Sequence, residues 1–126
     1  MNRKRIFDLA VKTAKKSEFT CFKHGAVLVR GGKIINTAFN ECVHSRLSDR
    51  FKTHEGIGTR HAELSVILGI DRKVTTGADV YVVRINPSYN IKNSRPCEMC
   101  MGALKFVGVK RVFYSISIDE YGVLKL

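Results

Sequence analysis

Along the first sixteen residues the apolar positions recur at a helical interval: Ile6, Phe7, Ala10, Val11 and Ala14 share one side of a 3.6-residue turn, and basic residues fill the other. This spacing predicts an amphipathic helix over 3–16, laid by its apolar stripe on a sheet. The period then changes. Residues 25–30 and 33–39 are apolar or β-branched runs joined by Gly31-Gly32, a pair suited to a tight hairpin. From Asn40 to Arg60 the chain is polar and aperiodic, which predicts a long loop; loops of this length often carry function, and this one is expected to enter an active site. Ala62, Leu64, Val66, Ile67 and Leu68 mark a buried helix over 61–69, and Val80, Val82 and Val83 a strand over 78–85. A second loop over 86–96, a helix over 97–107 and a strand over 111–116 follow, so strand, helix and strand make a right-handed parallel crossover. The helices beginning near 61 and 97 then start on the same side of the sheet. Few residues remain after Ile116, enough for a short last strand over Val123 to Leu126.

The pattern sums to an α/β fold: one domain over 1–126, three layers (α/β/α) around a mixed central sheet of about five strands. Composition agrees, since 126 residues at 44% hydrophobic content suffice for one core and leave no room for two. No apolar run approaches the ~20 residues of a membrane helix, and the basic N-terminus lacks the apolar stretch of a signal peptide. The expectation is a soluble, cytoplasmic protein with no membrane partner.

Charge narrows the partners. With 22 Lys and Arg against 11 Asp and Glu the chain carries +11, and residues 1–16 hold six positive charges and one negative. An anionic substrate is expected, either nucleic acid gripped through many phosphates or a nucleotide gripped through one. A solvated basic face on the N-terminal helix with no ligand is the plainer alternative.

The chemistry is concentrated in two short motifs, His61-Ala62-Glu63 and, 33 residues after the glutamate, Pro96-Cys97-Glu98-Met99-Cys100. Three borderline or soft ligands and one carboxylate are what zinc needs to activate water at neutral pH beside a proton carrier. If Pro96 opens a helix, Cys97 and Cys100 share one face of its first turn, where unpaired N–H groups and the helix dipole favour thiolate. His61 supplies a third ligand. A structural zinc wants four protein ligands, so three with a free position suggest catalysis, and Glu63 is placed to act as general base and then acid. One zinc per chain is expected. Cys21 and Cys42 have no pairing signature and are expected to be reduced.

These residues resemble the zinc-dependent cytidine and deoxycytidylate deaminase superfamily, which includes tRNA adenosine deaminases; its signature is H-x-E followed by P-C-x-x-C. The resemblance extends over roughly residues 5 to 116, with His24-Gly25-Ala26-Val27-Leu28-Val29, Gly31-Gly32-Lys33-Ile34-Ile35 and then Asn40 similar to the family's first hairpin and the asparagine that ends it. It implies that Asn40 contacts the substrate sugar and that backbone N–H groups near Ala62 and Cys97 position the base. Phe22 and His24 fall near the family's base pocket, with core packing and surface exposure as equal contenders. The 20 residues between Asn40 and His61 look like the phosphate-facing insertion of deoxycytidylate deaminases, with Arg46 and Arg50 as candidate phosphate contacts.

The activity implied is hydrolytic deamination of a nucleobase, first of cytosine in a deoxynucleotide such as dCMP. Deamination of adenosine or cytosine in tRNA or single-stranded nucleic acid is the alternative. A zinc-stabilised nucleic-acid-binding module is the non-enzymatic rival, permitted by the charge and opposed by Glu63. Taken singly, His61 reads as a satisfied helix-start histidine and the cysteines as a redox pair; their conjunction with Glu63 and Pro96 favours zinc. A second zinc on Cys42, His44 and His54 is a lesser alternative to solvated loop histidines. The short tail suggests that a second subunit completes the substrate site, hence a homo-oligomer.

Overall fold

The computed structural model describes residues 2–18, 22–42 and 59–126. The expected first helix is present as α1 (Arg3–Ala14), started by Asn2, whose side-chain oxygen accepts the N–H of Lys4 at 2.8 Å. It buries Ile6, Phe7, Ala10, Thr13 and Ala14, the stripe its spacing specifies. Strands β1 (Lys23–Arg30) and β2 (Lys33–Phe39) form the antiparallel hairpin, turned by Gly31 and Gly32 at φ 59° and 74°. Positive φ at both turn positions matches the right-handed twist of the strands, and glycine adopts it without a Cβ penalty.

Two short strands, β3 (Glu41–Cys42) and β4 (Thr59–Arg60), pair antiparallel within the stretch the sequence presents as loop. Then come α2 (Ala62–Ile67), α3 (Arg72–Thr75), β5 (Asp79–Ile85), β6 (Ile91–Lys92), α4 (Glu98–Phe106), β7 (Arg111–Ser117) and β8 (Glu120–Lys125). The main sheet has six strands rather than about five, ordered β2-β1-β5-β7-β8 with β6 paired to the end of β5. A two-residue strand has no period to display, which is why β6 reads as loop. β5 and β7 run parallel and are connected through α4, as expected; β8 returns antiparallel along β7 and begins three residues earlier than the expected tail strand.

Strict alternation along the strands makes the three layers. Val27, Val29, Tyr81, Val83, Ile85 and Phe113 lie under α1, while Ala26, Leu28, Val80, Val82 and Val112 lie under Ala62 and Val66 of α2 and Leu104 of α4. Both faces of the central strands are buried, so they read as continuous apolar runs. Helix α1 lies very close to β1: a Cβ on Gly25 would stand 2.1 Å from the Ala10 carbonyl oxygen and 2.7 Å from the Ala14 nitrogen.

The other helices are tied at their ends. Asn36 of β2 donates its side-chain N–H to the Val66 carbonyl of α2 at 3.1 Å. The C-terminal carbonyls of α4 are satisfied from α3, with Arg72 donating to Phe106 O at 2.8 Å and Thr75 Oγ1 to Val107 O at 2.7 Å. No helix among the described residues is long and apolar enough to cross a membrane.

Candidate active site

The site is built where β5 and β7 part. Ladder pairing between them ends at Val82 and Tyr114, and beyond that point β6 occupies the opened slot beside β5, with Lys92 opposite Arg84 and Ile91 opposite Ile85. Two buried serines hold the fork. Ser94 Oγ donates to Val82 O at 2.8 Å and accepts the Ser115 N–H at 2.8 Å; the Ser94 N–H donates to Ser115 O at 2.8 Å; and Ser115 Oγ donates to Lys92 O at 2.8 Å. The chain leaves this anchor through Pro96 and enters α4 with Cys97 as its N-cap, in extended conformation at φ −69° and ψ 165°. Pro96 thus lies outside the helix, not at its first position. Cys100 sits one turn in, fully buried.

Across from it, β4 delivers His61 as the extended N-cap of α2. Nδ1 of His61 lies 3.2 Å from Cys100 Sγ and 3.8 Å from Cys97 Sγ, and the three ligand atoms all fall within 4.8 Å of one another. Tetrahedral zinc with Zn–S ≈ 2.3 Å and Zn–N ≈ 2.0 Å requires nitrogen–sulfur separations of about 3.5 Å. The observed pair brackets that value, so one histidine nitrogen and two sulfurs fit the donor set and geometry of a three-ligand zinc site.

Glu63 follows His61 in the first turn of α2 and is 5% exposed. Its carboxylate is close to the sulfurs. The Cys100 thiol is pushed far up, first by burial, then by the negative charges of Glu63 and Cys97, and by hydrogen bonds to both. A buried thiol in such company stays neutral without a cation and becomes a thiolate ligand with one.

The remaining expected contacts divide. Ala62 is fully buried against the sheet, so only its backbone N–H, at the start of α2, is available to a substrate. Asn40 is buried and already used: its Oδ1 accepts the His24 N–H at 2.9 Å and its Nδ2 donates to Phe22 O at 3.1 Å. It clamps the chain into β1, leaving one amide N–H and one lone pair for anything else. Phe22 is 43% exposed, and the Arg84 guanidinium lies over its ring at 3.7 Å from the centroid. His24 is half-buried in β1, opposite Arg84. Arg46, Arg50, His44 and His54 lie outside the described residues, as does the side chain of Cys42. Sequence patterning passes over Ser94, Ser115 and Arg84; the one signal for Arg84 is a charge interrupting the run Tyr81-Val82-Val83-Arg84-Ile85.

The model of the cytidine and deoxycytidylate deaminase zinc-binding region matches residues 1–116. The chain belongs to this family. A tRNA-specific adenosine deaminase of Agrobacterium fabrum is 30% identical over 107 residues, covering 80% of this chain and 56% of that protein. The chain therefore spans just over half the length of that relative. Among solved structures, a cytidine deaminase from Burkholderia pseudomallei superposes with TM-score 0.71 at 18% identity, covering 99% of this chain and 93% of that one. The dCMP deaminase of cyanophage S-TIM5 superposes with TM-score 0.58 at 21% identity, covering 94% and 88%. At these identities the two structures establish the shared deaminase fold.

Proposed function

We propose that the chain catalyses hydrolytic deamination of a nucleobase, with zinc held by His61, Cys97 and Cys100 and Glu63 as the proton carrier. The observation that carries this reading is the cluster itself: one imidazole nitrogen and two sulfurs within 4.8 Å of one another, with a buried carboxylate against them. Zinc, when bound, supplies the acidity that makes water nucleophilic near neutral pH. Glu63 takes one proton as water adds to the carbon bearing the exocyclic amine and passes it to the ring nitrogen, then takes the remaining proton of the added hydroxyl and passes it to the departing ammonia. Its burial keeps bulk water from competing for that proton, and its place in the first turn of α2, two residues from His61, fixes it beside the ligands. The N–H of Ala62 is offered to orient the base.

The favoured substrate is cytosine in a deoxynucleotide such as dCMP, and the reaction exchanges the amine for oxygen, water in and ammonia out. The +11 charge and the likeness to a tRNA-specific adenosine deaminase support a second reading, adenosine or cytosine in tRNA or single-stranded nucleic acid. Glu63→Gln separates enzyme from binding module. It keeps the size of the side chain but cannot take the proton, so fold and zinc content should survive while turnover falls by at least ~10²–10⁴-fold. Equal turnover in wild type and variant removes Glu63 from the reaction. A panel of deoxycytidine, dCMP, single-stranded DNA and tRNA, followed by ammonia release, decides the substrate. Self-association belongs to the same proposal: β8 is an edge strand with Tyr121 and Val123 exposed, Ile118 in the turn before it is exposed as well, and sedimentation of the chain checks it.

A further inference from the structure

We infer that Arg84 is the anion receptor of this site, taking a phosphate group of the substrate; the inference rests on the nucleotide reading above and names the residue that would select it. Three observations converge on Arg84.

The first is placement. Val82 faces α2 and α4 and Val83 faces α1, so alternation turns Arg84 to the face that bears His61, Cys97 and Cys100. Phe22, His24 and Arg84 share that face, as the contact of the Arg84 guanidinium with the Phe22 ring requires. The level along the sheet is right as well. Arg84 pairs with His24, whose N–H is held by Asn40, the residue that leads into β3; and Arg84 touches Asn93, four positions before Cys97.

The second is its unmet bonding capacity. A guanidinium has five N–H donors. Among the described residues the Arg84 guanidinium makes one hydrogen bond, a long one of 3.4 Å from Nη1 to Asn93 O, and its Nε is buried with no partner. Among the described residues no carboxylate pairs with it, whereas Arg111 grips Asp79 in a two-pronged contact at 3.0 and 2.8 Å. A buried donor without an acceptor is costly, and a charged one more so.

The third is the company it keeps. The β1-β5 and β5-β6 registers set His24 and Lys92 on either side of Arg84, a row of basic side chains across three strands. Arg84 and Lys92 put like charges directly opposite each other in the sheet, which is destabilising. A phosphate oxygen seated against Nε and Nη satisfies the buried donor and relieves the repulsion together. The ring of Phe22, 43% exposed, stays beside it to carry the flat part of a nucleotide.

The test uses the zinc-loaded full chain and compares deoxycytidine with dCMP, two ligands differing in one phosphate. Wild type should favour dCMP by about 10- to 100-fold in KM, the worth of a charged hydrogen bond, and Arg84→Gln should bring the ratio towards one with kcat unchanged. Arg84→Lys, which keeps the charge, should recover part of the preference. A purely structural Arg84 would instead lower stability and affect both ligands alike. In parallel, the Arg84 Nε–H resonance of the wild-type protein should shift saturably on adding dCMP or inorganic phosphate and stay still with deoxycytidine. This readout needs no turnover, so it holds even if the chain deaminates neither ligand and the substrate reading fails. An unmoved resonance with dCMP and with phosphate, or an unchanged dCMP preference in folded Arg84→Gln, overturns the assignment.

Discussion

Replacing Ser94 by alanine tests whether the fork between β5 and β7 is what holds the second zinc motif in place. The Ser94 hydroxyl donates to Val82 O and accepts the N–H of Ser115, both at 2.8 Å, and Ser94 and Ser115 are 4% and 0% exposed. Alanine removes both bonds and leaves a buried donor and a buried acceptor unmet, each worth roughly 1–3 kcal/mol. With partial relaxation the loss should be about 2–4 kcal/mol, a drop in Tm of roughly 10 °C for a domain of this size. Ser115→Ala is the internal control. It removes the hydroxyl that donates to Lys92 O at 2.8 Å and accepts the Arg84 N–H at a long 3.4 Å, but keeps the backbone groups that Ser94 holds, so about 1 kcal/mol is expected. Because the two hydroxyls share a contact of 2.9 Å, the double variant should lose less than the two singles added. Thermal melts with and without zinc give the numbers, and Ser94→Ala should also narrow the zinc-induced rise in Tm, since Cys97 follows three residues later. A loss under about 0.5 kcal/mol, or Ser115→Ala costing as much as Ser94→Ala, would refute the anchor.

Other outcomes follow from the same structure. Cys97→Ala or Cys100→Ala should abolish stoichiometric zinc and lower Tm, and chelation of the wild-type protein should lower it similarly, because metal binding is coupled to folding; metal analysis and melts check this. Gly25→Ala should cost upwards of 2 kcal/mol in urea unfolding, because the added methyl meets backbone of α1, which cannot step aside as a side chain could. Burial raises the Tyr81 hydroxyl above its usual range, against the opposing pull of Arg3. The unfolded tyrosine therefore ionises first, near pH 10, so the contribution is intact below that value and is lost as pH rises beyond it. Tyr81→Phe should flatten the fall in urea midpoint between pH 9 and 11 relative to wild type.

The strongly periodic parts of this chain were legible before any coordinates. Ile6 to Ala14 declare α1, the Gly31-Gly32 pair declares the hairpin, and the apolar runs around Val82 and Val112 declare parallel strands covered on both faces. The His61 and Cys97-Cys100 motifs were legible as well, because metal chemistry demands particular residue types and their conjunction is rare. What escaped has no period or depends on a partner far along the chain. Ile91-Lys92 is too short to alternate, α3 is one turn, and the bonds between Ser94 and Ser115 join positions 21 residues apart. Asn40 is recognisable by its place after the hairpin, yet its hold on Phe22 and His24 could only be seen in three dimensions. Arg84 in a strand reads as a solvated charge until the rows beside it show bases rather than acids.

The fork has a consequence for how this protein can be altered. The turn over residues 86–90 closes on itself, with the Asn86 side chain accepting from Ser88 and Asn90 and the Asn86 N–H donating to Asn90 O at 3.0 Å. The next segment is pinned separately by Ser94. Length changes at the exposed tip are thus absorbed before they reach the cysteines, which makes Pro87-Ser88 a natural splice point. A peptide tag or a foreign recognition loop grafted there would add new surface at the end of β5 and β6 while the segment anchored by Ser94 keeps its geometry.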